Sequence, residues 1–198
     1  MANYFILNDK RPNPNFDAHV HGLLLNNKRE LIANPFNKGD LEIPKIKYIV
    51  RETVKYSETG IYRDKLSVTI QNNEPLFVCS SRLQTLLNEF CKNVEFYDLV
   101  VKKNDKINED FKLANITSFV ECINHTESKL IYWEMSHQTV YNIDELVLKE
   151  ESIPKELNMF LLGGIRGAII IIHRKLKEAI ESAKLTGFTF FEINEFVL

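Results

Sequence analysis

The sequence lacks an excess of charge of either sign, which argues against one large class of partners. Its 198 residues carry 25 lysines and arginines against 27 aspartates and glutamates, so the net charge is -2. A general nucleic-acid binder carries a clear basic excess or a face dense in lysine and arginine. The basic runs here are short and flanked by acidic residues. We therefore expect no nucleic-acid partner.

Long apolar runs are lacking too. The longest, at residues 168–172, falls far short of the roughly 20 residues that cross a bilayer, as does the shorter run at 146–148. The first ten residues have no cationic stretch followed by a long apolar one, so we expect no signal peptide. These absences predict a soluble cytoplasmic protein without membrane association.

Cysteine is scarce, with Cys79, Cys91 and Cys122 widely spaced along the chain. An odd number at such spacing fits neither a disulfide framework nor a zinc cluster, and predicts buried thiols in a reducing compartment. Cys79 precedes a predicted helix start, where the helix dipole can lower a thiol pKa. Because no histidine accompanies it as a base, we interpret it as a packing residue.

Catalytic signatures are also missing, since the chain has no nucleophile elbow, Walker-type loop or HExxH sequence. The glycines of residues 163–167 precede an apolar strand instead of a helix. A phosphate cradle needs glycines that open onto a helix N-terminus, so this segment predicts a turn between two strands.

The composition is that of an ordinary folded protein, with 44% hydrophobic, 26% charged and 11% aromatic residues. No flexible linker divides the chain, so we expect a single domain over residues 1–198, made of a strand-rich part at 1–73 and a second part at 74–198. β-Branched and aromatic runs bounded by turn-forming residues predict strands at residues 4–7, 45–50, 66–70, 94–101, 111–123, 140–148, 168–172 and 188–197. Residues 168–172 are apolar throughout, which predicts burial on both faces.

Two segments, residues 76–99 and 168–193, repeat one order of features. In each, an apolar strand leads into a polar stretch, a short amphipathic helix and an aromatic-rich strand. The apolar helix positions follow the spacing i, i+3, i+4 and i+7, which is one helical stripe: Leu83, Leu86, Leu87 and Phe90, then Leu176, Ala179, Ile180 and Ala183. The predicted fold class is α+β: a mixed, mostly antiparallel sheet with a few short helices and two similar strand–helix–strand units.

The ends of these helices carry local signals. Ser81 and Gln84 have the spacing of a capping box, in which the two side chains bond otherwise free backbone N–H groups. The second helix lacks such a box, but Gly187 follows it, where glycine favours a left-handed helix terminus.

His19 and His21 form the sharpest candidate for chemistry. Two histidines at i, i+2 on a strand point the same way, as in the metal sites of amidohydrolases. No other histidine stands in a ligand motif, and the chain is short for the barrel that such enzymes use. A small metal-dependent hydrolase that uses this pair is an alternative. The leading interpretation has no catalytic residue, metal or cofactor.

The segment around the single tryptophan is the candidate for partner binding. Tyr132, Trp133 and Glu134 combine large aromatic rings with a charge, a composition common at interface hot spots. Asp144 and Glu145 can face a cationic partner. The competing interpretations are that the aromatics belong to the core and that the acidic residues simply face solvent.

Spaced blocks in the second half resemble the eleventh immunity family of bacterial polymorphic toxin systems. The blocks are SSRL at residues 80–83 leading to Phe96, FVEC at 119–122, IDELVL at 143–148 and the strand–helix–strand at 168–191. The resemblance covers about residues 74–196. One departure is that Phe-Leu-Leu precedes the glycines where the family has an arginine.

The resemblance implies a cytoplasmic protein that binds one cognate toxin protein and blocks it, without catalysis or cofactor. It leaves the oligomeric state open between monomer and dimer. A structural subunit of a self-assembling complex is a further alternative, which gel filtration would distinguish as a large homo-oligomer.

Overall fold

The computed structural model describes residues 2–9, 20–21, 23–24, 48–51, 65–66, 68–69, 76–103, 106–108, 110–133, 136–165 and 169–196. The first strands are β1 Tyr4–Asp9, β2 Val20–His21, β3 Leu23–Leu24, β4 Tyr48–Arg51, β5 Lys65–Leu66, β6 Val68–Thr69 and β7 Leu76–Ser80. Helix α1 (Ser81–Phe90) precedes β8 Val94–Lys103, β9 Lys106–Asn108, β10 Phe111–Ile116, β11 Phe119–Val120, β12 Lys129–Trp133 and β13 Ser136–Glu145. The 3₁₀ helix Glu150–Ser152, β14 Met159–Leu162, β15 Ile170–His173, α2 Arg174–Ser182, β16 Phe188–Glu192 and the 3₁₀ helix Ile193–Glu195 follow.

Two sheets carry most of these strands. The five-stranded sheet has the order β11-β14-β15-β1-β16, and the seven-stranded sheet has the order β3-β4-β8-β10-β7-β5 with β9 beside β8. Among the described pairs of these two sheets, β11–β14 and β4–β8 run parallel and the rest antiparallel. Strands β12 and β13 form a separate antiparallel hairpin. The predicted mixed, mostly antiparallel α+β fold is confirmed.

The two strand–helix–strand units, β7-α1-β8 and β15-α2-β16, share one connectivity. Strands β7 and β8 both pair antiparallel with β10, which lies between them. Strands β15 and β16 both pair antiparallel with β1 in the same way. Each unit is therefore a split β–α–β motif, whose two strands run parallel on either side of one inserted strand. Along the chain, the inserted strand β10 follows the first unit, whereas the inserted strand β1 precedes the second.

The five-stranded sheet is buried on both faces. On one face, Leu7 and Ile172 pack against α1, α2 and residues of the seven-stranded sheet in a cluster that we call the helix core. On the other face, Ile6, Phe160 and Ile171 pack against the β12–β13 hairpin and its flanking segments in the hairpin core. Because side chains alternate along a strand, β15 supplies both cores, which confirms its predicted two-sided burial.

The predicted helical stripes face the helix core. Their fully buried members are Leu83 and Leu87 of α1 and Leu176 and Ile180 of α2. The two helices contact each other, and Arg82 Nη2 of α1 donates to the carbonyl oxygen of Ala183 at 2.9 Å. In the part of the chain that the structure describes, no helix is long and apolar enough to cross a membrane.

Helix α1 starts one residue before the predicted capping box. Its cap is Ser80, whose Oγ accepts the Leu83 N–H at 3.2 Å. Ser81 bonds elsewhere, since its N–H and its hydroxyl both donate to the carbonyl oxygen of Asp110 at 2.9 Å. The assignment of Ser81 and Gln84 to a box is wrong because this long-range contact to the start of β10 engages Ser81.

The left-handed residue at the end of helix α2 is Lys184 and not the predicted Gly187. Lys184 has φ 52°, its N–H donates to the Glu181 carbonyl at 3.0 Å, and the Leu185 N–H donates to the Ile180 carbonyl at 3.1 Å. These two bonds define a Schellman motif. Gly187, at φ 96°, lies further on, just before β16. Leu185 packs against the helix core, which fixes the terminus three residues earlier than predicted.

Strands β3, β9, β12 and β14 are absent from the predicted set, and residues 106–108 of β9 lie in a segment predicted as a turn. Strand β14 pairs antiparallel with β15, so residues 163–165 follow the first of two strands as predicted, and residues 166 and 167 lie outside the described residues. Gly163 permits a close approach there, since a Cβ atom at this position would lie 2.8 Å from Glu121 Cγ. Gly164 has φ 78°, a left-handed conformation that glycine adopts without strain.

Candidate protein-binding surface

The β12–β13 hairpin presents one face to the hairpin core and the other to solvent. Leu130 and Tyr132 pack against that core from β12, while Val140 and Ile143 are buried in it from β13. Successive side chains of a strand point to opposite faces, so Ile131 lies on the outer face, where it is 45% exposed. The hairpin therefore has a definite outer surface.

A bulge in the hairpin places a second large side chain on this surface. Ile131 pairs with Asn142 and Tyr132 pairs with Val140, so the register skips Tyr141. The skipped Tyr141 is 51% exposed. A bulge redirects a side chain relative to a regular strand, and bulges often lie next to functional sites. Among the described side chains of the hairpin, Ile131 and Tyr141 are the exposed large apolar ones.

The predicted aromatic residues Tyr132 and Trp133 both belong to strand β12 of this hairpin. Tyr132 is half-buried, and its hydroxyl lies 2.9 Å from Nδ1 of His125, with the two rings stacked 6.3 Å apart. Trp133 ends β12 and its backbone pairs with Ser136. The Trp133 side chain and the whole of Glu134 lie outside the described residues.

Asp144 and Glu145 lie at the opposite end of the same hairpin. Asp144 is exposed, whereas Glu145 is half-buried and forms an ion pair with Lys129, with 2.6 Å between Oε2 and Nζ. The hydrogen bond that Lys129 donates to Glu145 raises the pKa of Lys129, and the negative charge of Glu145 raises it further. Lys129, at this end of strand β12, lies four residues from Trp133, which is about 13 Å in an extended chain. Both predicted groups therefore belong to one small sheet.

The hairpin belongs to an acidic layer of the protein. Residues 121–158, which we call the hairpin layer, contain eight acidic and three basic residues, a net charge of -5 in a chain of net charge -2. The exposed acidic residues among those described are Glu121, Glu127, Asp144, Glu150, Glu151 and Glu156. Negative charge is thus concentrated on the segments that cover the hairpin core.

A comparison with known families identifies the chain. Residues 9–195 match the model of the Immunity protein family (Imm11). The chain belongs to this family. The match confirms the predicted resemblance and extends it, since it starts well before residue 74 and includes most of the N-terminal part. A search of curated proteins gave no match.

The cysteines of this Imm11 family member are packing residues. All three are buried and none forms a disulfide. Cys79 and Cys91 lie in the helix core, and Cys122 lies in the hairpin core. Burial raises the pKa of Cys79 to about 12, of Cys91 to about 12 and of Cys122 to about 11. Cys79 lies in strand β7 before the helix cap. Its pKa is raised, whereas a nucleophilic thiol requires a lowered pKa.

We therefore expect the three thiols to be unreactive in the folded protein. The thiolate is the species that attacks a disulfide reagent, and raised pKa values keep all three groups protonated. Ellman's reagent at about pH 8 should release no thionitrobenzoate from native protein and three equivalents after unfolding in guanidinium. Labelling of any thiol without unfolding would contradict this placement.

The metal-site hypothesis falls largely outside what the structure describes. His21 lies in β2, but its side chain and all of His19 are outside the described residues. Within the described ranges, no group of three or more His, Cys, Asp or Glu side chains is arranged to hold a metal ion.

His173 has a structural role at the start of α2. Its Nδ1 accepts the Lys175 N–H at 3.2 Å and so caps the helix. Partial burial lowers the pKa of His173, and the positive charges of Lys175 and Arg174 lower it further, against the opposing effect of Glu150 and Glu178. The neutral ring is therefore favoured in the folded protein.

This lowered pKa predicts a loss of stability in acid. Between the unfolded value of 6.5 and the lower folded pKa, the unfolded chain binds more protons, so the free energy of unfolding falls as the pH falls. His173→Asn keeps a capping acceptor and removes this titration. In urea denaturation from about pH 7.5 to about pH 5, the variant should gain stability relative to wild type. A difference that does not change with pH would contradict the assignment.

Proposed function

We propose that the protein is an immunity-type binding protein that neutralises a cognate bacterial toxin by stoichiometric protein–protein binding. The observation that carries this proposal is the Imm11 family match over residues 9–195. We propose further that it acts in the cytoplasm, without a catalytic step, cofactor or nucleic acid.

The described chemistry supports binding over catalysis. A stoichiometric inhibitor needs a shaped surface, large anchoring side chains and complementary charge, and it needs no reactive group. The thiols are buried with raised pKa values, and His173 caps a helix. The acidic hairpin layer offers a surface of the required kind.

We propose the β12–β13 hairpin as the part that meets the toxin. Tyr132, Trp133, Glu134, Asp144 and Glu145 all belong to this hairpin or to the connection between its strands. Asp144 and the ion-paired Glu145 provide negative charge at one end of the hairpin. The aromatic residues mark the other end.

Growth rescue tests the proposed function. The probe is the C-terminal segment of the protein encoded immediately upstream, which we call the upstream segment; the proposed function predicts that this neighbour is a large secreted toxin. Cells that express the upstream segment alone should stop growing, and cells that also express this full-length protein should grow. The control carries the same plasmid with an early stop codon. Continued growth arrest at a matched level of folded protein would contradict the proposal.

A further inference from the structure

The outer face of the hairpin carries two features that a docking surface needs together. Ile131 and Tyr141 are 45% and 51% exposed on one small sheet whose inner face is firmly packed. Ile131 pairs with Asn142, the residue directly after Tyr141, so the two side chains are cross-strand neighbours, which lie about 5–8 Å apart, and form one apolar patch. Exposed apolar patches with polar surroundings commonly mark interaction sites.

The second feature is the charge around this patch. The hairpin layer carries a net charge of -5, so the rest of the chain carries +3. Lys129, the basic residue within the hairpin strands, is already paired with Glu145, which leaves Asp144 as an exposed charge beside the patch. Negative potential on this face attracts a cationic surface and repels an acidic one.

The opposite side of the protein has the opposite sign. Residues 81–92 and 174–184, which contain the two helices, hold six basic and three acidic residues. These helices cover the other face of the five-stranded sheet from the hairpin. A cationic partner is therefore drawn to the hairpin and turned away from the helices, so the charge distribution selects one docking orientation.

We infer that the outer face of the β12–β13 hairpin, centred on Ile131 and Tyr141, docks onto a cationic surface of a protein toxin domain. This inference rests on the proposed function and names the partner chemistry of that site. Tyr141 and Ile131 fill apolar depressions of the partner and limit dissociation, while Asp144 and its acidic neighbours accelerate association.

The test measures association and dissociation of the full-length protein with the purified upstream segment by surface plasmon resonance at low and high salt. Asp144→Lys should lower the association rate constant about three- to tenfold at about 50 mM NaCl and much less at about 500 mM, because salt screens exposed charges. Glu89→Lys changes the net charge equally but lies on the exposed face of α1, so it should leave the association rate unchanged or slightly lowered.

The apolar anchor is tested by a matched pair of aromatic truncations. Tyr141→Ser should weaken binding about 30-fold or more, mainly through faster dissociation. Phe119→Ser removes a ring that is 46% exposed on β11, away from the hairpin, and should change affinity less than about threefold. Since both rings are exposed, both variants should melt close to wild type.

The outcomes separate this inference from the proposed function. If the wild-type protein binds and rescues growth while Asp144→Lys and Tyr141→Ser behave like their controls, the hairpin face is not the docking site and the inference is overturned alone. If the wild-type protein neither binds nor rescues, both fail. Weaker binding confined to the two hairpin variants supports the inference, provided that high salt diminishes the effect of Asp144→Lys and leaves that of Tyr141→Ser.

Discussion

Phe160→Ala is expected to lower the free energy of unfolding by about 3–5 kcal/mol, the range for removing a fully buried phenylalanine. Phe160 is 0% exposed in β14, between β11 and β15, and belongs to the hairpin core. Its ring also meets the Tyr4 ring edge-on at a centroid distance of 6.2 Å. Truncation leaves a cavity among strands that cannot easily close together.

The matched control for this prediction is Phe119→Ala on the neighbouring strand. Phe119 is 46% exposed, so the same chemical change should cost less than about 1 kcal/mol. Urea denaturation measures both, and Phe160→Leu supplies a smaller, measurable loss if the alanine variant does not fold. Equal losses at Phe160 and Phe119 would contradict the placement of β14 between β11 and β15 with Phe160 in the hairpin core.

Leu83→Ala and Leu176→Ala are each expected to cost about 2–5 kcal/mol, although they lie in different strand–helix–strand units. Both side chains are buried in the helix core, Leu83 from α1 and Leu176 from α2. We propose that the chain is one domain, so each substitution should shift one cooperative unfolding transition of the whole protein.

Circular dichroism and tryptophan fluorescence during urea denaturation check this proposal. The single Trp133 lies in the hairpin, far along the chain from Leu83, so it reports on a region that the substitution does not touch. Coincident transitions for both probes in both variants are expected. Two separate transitions, with each variant shifting a different one, would show two independently folding parts.

The sequence predicts the local architecture well because its signals are local. The apolar stripes of Leu83, Leu87, Leu176 and Ile180 indicate both helices and their buried faces, and the structure places all four in the helix core. Local sequence patterns do not show which strand is inserted between the two strands of each unit. Strand β10 is close to the first unit along the chain, but β1 reaches the second from more than 160 residues away. Such pairing depends on the whole fold.

Details of the helix ends depend on long-range contacts for the same reason. Ser80 and Ser81 are equivalent cap candidates in sequence, and the carbonyl oxygen of Asp110 decides between them by engaging Ser81. Lys184 takes the left-handed position because Leu185 packs against the helix core, although Gly187 is intrinsically better suited to it. Intrinsic propensity differs by about 1 kcal/mol in such cases, a cost that the partial burial of Leu185 against the helix core offsets.

The candidate surface is partly predictable. The aromatic and acidic composition around Trp133 and Asp144 predicts its location. The same composition does not predict the two side chains at its centre, Ile131 and Tyr141. Once residues 129–133 are recognised as a strand, alternation puts Tyr132 with Leu130 on the inner face and Ile131 on the outer face. The exposure of Tyr141 depends on a bulge, which breaks the alternation and leaves no clear signal in a single sequence.

The central claim is that this protein acts by forming a complex and not by a reaction. Native mass spectrometry of the full-length protein mixed with the upstream segment tests it most directly. The account predicts a complex with equal numbers of the two chains, each at its unaltered mass, and no remaining toxicity once the protein matches the segment in amount. Loss of toxicity at far below one equivalent, with a changed mass of the segment and no complex, would contradict it.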